Sequence, residues 1–256
     1  MRPSVKKKLV PTAAVLGLLL AWEAVCRLEL VPSYMLPAPT QVIAALVSDA
    51  PLIWLHTQTT LVEALVGLLL GCVLGFALAV LMDRYESFYL AFQPLITVSQ
   101  TIPTIAIAPI LVLWFGYGLF PKVVLIVLIT FFPIAVSLVS GFKSVDPDLI
   151  DLMRTMHASN WQIFRYIKLP AAAEPFFAGL KISATYAVVG AVIVEWLGGF
   201  SGLGVYMTRV RKSFSYDKMF ASILVISALS LALLWLIGIL ERTCLPWKKT
   251  ERSQRK

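Results

Sequence analysis

From Met219 to Leu240 the chain runs for 22 residues without a formal charge. A helix needs about 20 mainly apolar residues to cross the hydrocarbon core of a bilayer. Five more stretches have the same character. They are Leu9–Cys26; Leu61–Met82, uncharged except for Glu63; Leu90–Phe115, interrupted by Pro94, Pro103 and Pro109; Val123–Gly141, with Pro133 inside; and Gly179–Leu197, with Lys181 near its start and Glu195 near its end. The expectation is an all-α, polytopic membrane protein with six transmembrane helices. Composition agrees: of 256 residues, 59% are hydrophobic and 14% charged, where soluble domains carry about 25% charged residues. Disorder is excluded by the same apolar excess.

Lys and Arg number 22 against 14 Asp and Glu, a net charge of +8. A basic chain can bind nucleic acid, but here the positive residues gather at the ends and in loops between apolar runs. With the N-terminus in the cytoplasm, 16 of the 22 lie in the inside segments 1–8, 83–89, 142–181 and 241–256. The other six, Arg27, Lys122, Arg209, Arg211, Lys212 and Lys218, fall outside. This bias orients both termini inwards, although the loop after the fifth span opposes it locally. The resulting division is a cytoplasmic N-terminus 1–8, a transmembrane domain 9–241 with a cytoplasmic loop 142–178, and a basic tail 242–256. The basic start and the first apolar run could be a signal peptide, but Ala21-Trp22-Glu23-Ala24 is a poor cleavage site, so an uncleaved helix is expected. Cys26, Cys72 and Cys244 are scattered and His56 and His157 stand alone. No disulfide framework, metal site or cofactor is expected.

Two spans carry further information. Gly67, Gly71, Gly75 and Ala79 recur every four residues, which puts small side chains on one face and lets two backbones approach closely. The bland reading is bundle packing; the sharper one is a moving interface. The third span cannot be a plain helix, because each proline removes a donor and clashes with the preceding turn. Irregular backbone at membrane depth is tolerated where it is buried or lines a water-filled path. Gln100, Thr101 and Thr104 are therefore path candidates, against the alternative of a kink with satisfied polar groups. Glu195 is either a gating or substrate residue or an acid snorkelling to water at a span edge. Glu63 and Glu23 are read as path groups or as helix-pairing acids. The Gly198–Gly204 segment is expected to be a short outer loop.

The long inside loop is organised. Asp146-Pro147-Asp148 reads as a helix start, with a capping acid, proline at the first position and an acid near the positive end of the dipole. Leu149, Leu152, Met153 and Met156 follow at helical spacing. Ser159-Asn160-Trp161-Gln162 has the form of a capping box, opening a second short helix that Pro170 is expected to stop. Two short cytoplasmic helices joined by a turn at His157–Asn160 are thus predicted. Their apolar residues must pack on the chain's own helix ends or on another protein.

The stretch from Asp151 to Pro170 resembles the EAA loop of binding-protein-dependent ABC importer permeases. That pattern is E-A-A, three residues, G, nine residues, then I-x-L-P. Asp151 stands for the glutamate, Leu152 and Met153 for the alanines, and His157 for the glycine, while Ile167, Leu169 and Pro170 match. Leu36-Pro37-Ala38-Pro39, Phe132-Pro133, Ser144-Val145-Asp146-Pro147 and Ser201-Gly202-Leu203-Gly204 resemble the nitrate/sulfonate/taurine type. Gly190 to Gly199 and Gly204 to Met207 are similar to permeases for thiamine-precursor pyrimidines.

The resemblance implies a type I ABC importer (MetI-like) permease fold and a homodimer forming the pore. Its implied partners are separate ABC ATPase subunits on the cytoplasmic loops, an extracytoplasmic substrate-binding protein and membrane lipid, with no nucleic acid. It implies ATPase-coupling roles for Asp148, Asp151, Arg154, Thr155, His157, Ala158, Ser159 and Trp161. The chain has no G-x-x-x-x-G-K-[ST] phosphate loop, so ATP hydrolysis would fall to the partner. The competing class is an ion-coupled secondary transporter, which would need inverted repeats or a proton relay.

Overall fold

A computed structural model describes residues 3–32, 34–99 and 101–246, without the side chains of 3–9 and 104. Every regular element among them is helical. In chain order these are α1 (Pro3–Arg27), α2 (Pro39–Ser48), α3 (Ala50–Arg84), α4 (Glu86–Ser99), α5 (Thr104–Phe115), α6 (Leu119–Lys143), α7 (Pro147–Thr155), α8 (Asn160–Ile163), α9 (Leu169–Leu197), α10 (Leu203–Lys212) and α11 (Tyr216–Cys244). A π-helical turn, Phe164–Lys168, joins α8 to α9.

Among the described residues, five continuous helical segments are long and apolar enough to cross a membrane: Val10–Arg27, Ala50–Arg84, Leu119–Lys143, Asn160–Leu197 and Tyr216–Cys244. The sixth expected span is two shorter helices, α4 and α5, separated at residues 100–103. The break falls at Pro103, which caps α5 from an extended conformation. The second span starts 11 residues earlier than its apolar run, because Pro51 sits in the first turn of α3 and His56, Thr57 and Thr60 are buried there.

Pro170 does not stop the helix that opens at Asn160; this corrects the sequence expectation. The Leu169 N–H reaches back to the Phe164 carbonyl. That wider turn, immediately ahead of the proline, relieves the clash and the missing donor that make proline a helix breaker. The helix runs from Asn160 to Leu197 without interruption, so the hairpin formed by α7 and α8 is mechanically continuous with a long apolar helix.

The centre of the bundle is α3, α6 and α9. The glycine face of α3 lies against α6: a β-carbon at Gly67 would overlap Ile126, one at Gly71 would overlap Thr130, and one at Gly75 would come within 2.9 Å of the Phe131 carbonyl. On the other side of α6, a β-carbon at Gly179 of α9 would lie 2.8 Å from the Pro133 carbonyl. Small residues on both partners bring the backbones together, as packing in lipid requires. A Gly75→Val substitution should therefore cost about 1–3 kcal/mol through overpacking. The check is the thermal midpoint of the purified protein in detergent.

Ionic contacts tie one end of the bundle. Lys168 Nζ pairs with Asp83 at 2.6 Å, Lys181 with Glu241, and Lys143 Nζ sits 3.2 Å from the centre of the Tyr89 ring. At the opposite end α2, α10 and the start of α11 close a small apolar core built on Val42, Leu203, Tyr206 and Ala221.

Candidate functional site

Two regions concentrate chemistry, one at each end of the bundle. The first is α7, its turn and α8. Asp146 caps α7, its Oδ1 accepting the Asp148 N–H at 3.0 Å. The chain then reverses through His157, whose φ of +57° is left-handed. Glycine adopts that conformation without strain, and His157 adopts it with its Nδ1 3.1 Å from the Thr155 carbonyl. The Ala158 N–H closes the turn on the Met153 carbonyl at 3.0 Å. Ser159 Oγ accepts the Gln162 N–H at 3.3 Å and Gln162 Oε1 accepts the Ser159 N–H at 2.7 Å, completing the capping box. A Ser159→Ala variant should lose about 1 kcal/mol of local helix stability, visible as faster amide exchange at residues 160–163.

This region has two faces. Ile163 is buried, and Phe164 packs on Phe142 of α6 with ring centres 5.5 Å apart. Nothing on α7 is buried. Leu149, Leu152, Met156 at 70% exposure and Trp161 at 65% lie open. Asp151 and Arg154 pair across 3.3 Å on the surface, a contact worth a few tenths of a kcal/mol. The structure thus gathers Asp148, Asp151, Arg154, Thr155, His157, Ala158, Ser159 and Trp161 on one projecting hairpin whose apolar side is uncovered by the chain itself.

The second region lies at the other end. Glu195, for which the sequence left a gating or substrate role and snorkelling to water both open, is 1% exposed. Its Oε1 accepts the Thr60 hydroxyl at 2.7 Å and its Oε2 accepts the Gly204 N–H at 2.6 Å. Thr60 Oγ1 in turn accepts the Leu203 N–H at 2.8 Å, and His56 Nδ1 accepts the Gly202 N–H at 3.0 Å. Three side chains from α3 and α9 thereby satisfy the first N–H groups of α10, which otherwise have no helical partner. Gly202 is required here: its φ is +121°, and a β-carbon would overlap the Glu195 carboxyl.

Lys122, counted from sequence as an outer-loop residue, is instead 5% exposed. Its ammonium reaches Glu63 Oε1 at 2.6 Å and the Ser201 carbonyl at 3.5 Å. The long side chain turns inwards because Glu63 offers a charge partner across the close α3–α6 contact. Pairing is also the role of Glu23, which accepts from Arg27 at 2.7 Å and from the Thr40 hydroxyl at 2.9 Å. Sequence reasoning missed the Lys122 and His56 contacts, since nothing local signals them.

Nearby, Tyr206 donates to Asp49 at 2.5 Å, and Lys218 lies 3.2 Å from the same carboxylate. The Tyr206 hydrogen bond, with Lys218, holds the Asp49 carboxyl below its usual range. Burial, then Asp49, pushes the Tyr206 phenol up. Arg209, Arg211, Lys212, Phe200 and Phe214 stay exposed around α10, and Arg209 donates to the Phe200 carbonyl at 2.9 Å.

Of the path residues, Gln100 lies outside the described residues. Thr101 is exposed and bonds back to the Val98 carbonyl at 2.7 Å. Thr104 is the first residue of α5. Thr101 and Thr104 lie at the α4–α5 break, whereas the polar contacts of Glu195 run to α3 and α10. Among the described residues no cluster of His, Cys, Asp and Glu could hold a metal ion.

Residues 67–244 match the model of a family described as "Binding-protein-dependent transport system inner membrane component". A formylaminopyrimidine transport permease protein of Halalkalibacterium halodurans is 39% identical over 244 residues, covering 95% of this chain and 97% of that one. A probable ABC transporter permease protein of Haemophilus influenzae is 38% identical, covering 89% and 94%. Taurine and aliphatic sulfonate permeases stand further off, at 29% and 28%. Among solved structures, an inward-facing methionine ABC transporter chain superposes with a TM-score of 0.66 at 20% identity, covering 75% of this chain and 97% of that one.

Proposed function

The chain belongs to the family of binding-protein-dependent transport system inner membrane components, and from that premise we propose how its parts divide the work of an ATP-driven importer. Members of this family are permease subunits, multi-pass proteins of the inner membrane. In our reading α7, the His157 turn and α8 dock into a groove on a separate ATPase subunit. The observation that carries this is their uncovered apolar face, formed by Leu149, Leu152, Met156 and Trp161. Such a face on a solvated hairpin calls for a partner. The charged rim of Asp148, Asp151 and Arg154 would set register. Because α8 continues through the π-turn into α9, a shift of the hairpin moves a span directly, a lever between two states of an interface.

The hairpin end is then cytoplasmic, as are both termini. The α10 end faces outwards, where Arg209, Arg211 and Lys212 would meet acidic groups on a substrate-binding protein. Two copies of the chain would enclose the path. The broken α4–α5 span, with Gln100, Thr101 and Thr104, is the segment we place along it. Glu195 we assign to holding α10 rather than to touching substrate. For cargo, the pyrimidine class is favoured over nitrate, sulfonate or taurine by the higher identity to the formylaminopyrimidine permease. The test is uptake by proteoliposomes holding this chain, its genomically adjacent ATPase and its binding protein. Formylaminopyrimidine should be taken up in an ATP-dependent way. Uptake of taurine alone would reverse the substrate assignment, and ATP-independent uptake would overturn the importer reading in favour of a secondary transporter.

A further inference from the structure

The buried cluster at the outer end has a charge balance that its hydrogen bonds do not close. Glu63 and Glu195 are 2% and 1% exposed, and each is a potential anion. Lys122 is the one cation paired with either among the described residues. Removing an uncompensated charge from water into such surroundings costs several kcal/mol, so a cluster of two carboxylates and one ammonium would carry a costly extra negative charge.

The donors are also one short. Glu63 Oε1 takes the Lys122 ammonium, and the two Glu195 oxygens take Thr60 and the Gly204 N–H. Glu63 Oε2 is buried with no donor. The Glu195 carboxyl belongs to the same cluster: it takes the hydroxyl of Thr60, one turn ahead of Glu63 on α3. Two carboxyl groups can hydrogen-bond to each other only with a proton between them.

The other groups facing the pair supply neither charge nor proton. From α3, His56 accepts the Gly202 N–H at Nδ1, so the ring is not doubly protonated. From α10, the exposed Arg209 turns to the Phe200 carbonyl, and Tyr206 is committed to Asp49. From α11, Lys218 is held by Asp49. α5 packs against α6 and α9 near this end and contains no ionisable residue.

We propose that Glu63 and Glu195 are a proton-binding site: they hold one proton between them, making an electroneutral triad with Lys122. The triad keeps the 198–204 loop and the start of α10 seated on α3, α6 and α9. The site is independent of the transport reading, since it rests on contacts within one chain. The unfolded chain exposes ordinary carboxylates that are ionised at neutral pH, so unfolding releases this proton and rising pH favours unfolding. Once the pair gives up its proton, two like charges face each other in a dry site.

The experiment uses the purified full-length chain in detergent, followed by infrared spectroscopy and thermal melting across neutral to alkaline pH. The wild type should show a protonated-carboxyl C=O band that titrates together with a fall in the melting midpoint. Glu195→Gln keeps an acceptor for the Gly204 N–H and offers a donor to Glu63. It should abolish the band, hold its neutral-pH midpoint and flatten the alkaline fall. Glu63→Gln should do the same. The double variant leaves Lys122 unbalanced and should melt below either single one. Absence of the band in the wild type, or an alkaline fall unchanged in both single variants, would overturn the proposal.

Discussion

An arginine at position 158 is expected to reduce ATP-driven uptake at least tenfold while the protein still inserts and melts as the wild type does. Ala158 follows the left-handed His157 and is half-buried inside the turn, its N–H bonded to Met153. A long charged side chain there stands between the hairpin and any groove that receives it. A docking loss of about 1.4 kcal/mol already lowers occupancy tenfold, and truncating an interface hot spot typically costs 2 kcal/mol or more. Trp161→Ala should act in the same direction by removing the largest exposed anchor. Folding is spared because α7 buries nothing against the bundle and the α8 contacts run through Ile163 and Phe164. The check is uptake and ATPase rate in proteoliposomes, set against the thermal midpoint of the permease alone. A variant that still takes up substrate at the wild-type rate would move the docking site elsewhere.

Replacing Lys122 by methionine should be among the most destabilising single changes in the bundle. Breaking a buried ion pair by deleting one partner costs about 3–5 kcal/mol, because the other charge is left uncompensated. Here the loss is compounded: the ammonium also supports the Ser201 carbonyl and so the loop leading to α10. The double variant Lys122→Met with Glu63→Gln should regain most of the loss, since it removes the stranded charge and keeps a donor for Glu195. Thermal melts of the two variants, side by side, measure this directly. Equal midpoints for the single and double variants would show that Glu63 carries no charge to be balanced.

Much of this architecture is legible in the chain, and the limits have physical reasons. Uncharged runs mark the spans because lipid tolerates little else. Asp146-Pro147 and Ser159-x-x-Gln162 mark helix starts because each supplies a missing hydrogen-bond partner locally. The four-residue recurrence of Gly67, Gly71, Gly75 and Ala79 marks the α3–α6 contact because helical geometry puts these positions on one face. Pro170 misleads because its effect depends on a wide turn in the preceding backbone, which no residue pattern announces. Lys122 misleads because a charge at the edge of an apolar run reads as loop, and its partner Glu63 is 59 positions away. Glu195, Thr60 and His56 meet only because α3 and α9 are side by side. The α7–α8 hairpin is readable as a short-range motif, whereas the cluster around Glu195 is assembled by tertiary packing alone.

In our reading the α7–α8 hairpin docks on an ATPase subunit at the end of the bundle opposite α10. Site-specific crosslinking tests it most directly. Cys26, Cys72 and Cys244 would first be replaced, and a single cysteine introduced by Ala158→Cys or by Phe214→Cys. The complex with its ATPase is then treated with a short thiol-reactive crosslinker in membranes. A permease–ATPase adduct is expected from position 158, changing in yield with nucleotide, and none from position 214. An adduct from position 214 and none from position 158 would contradict it.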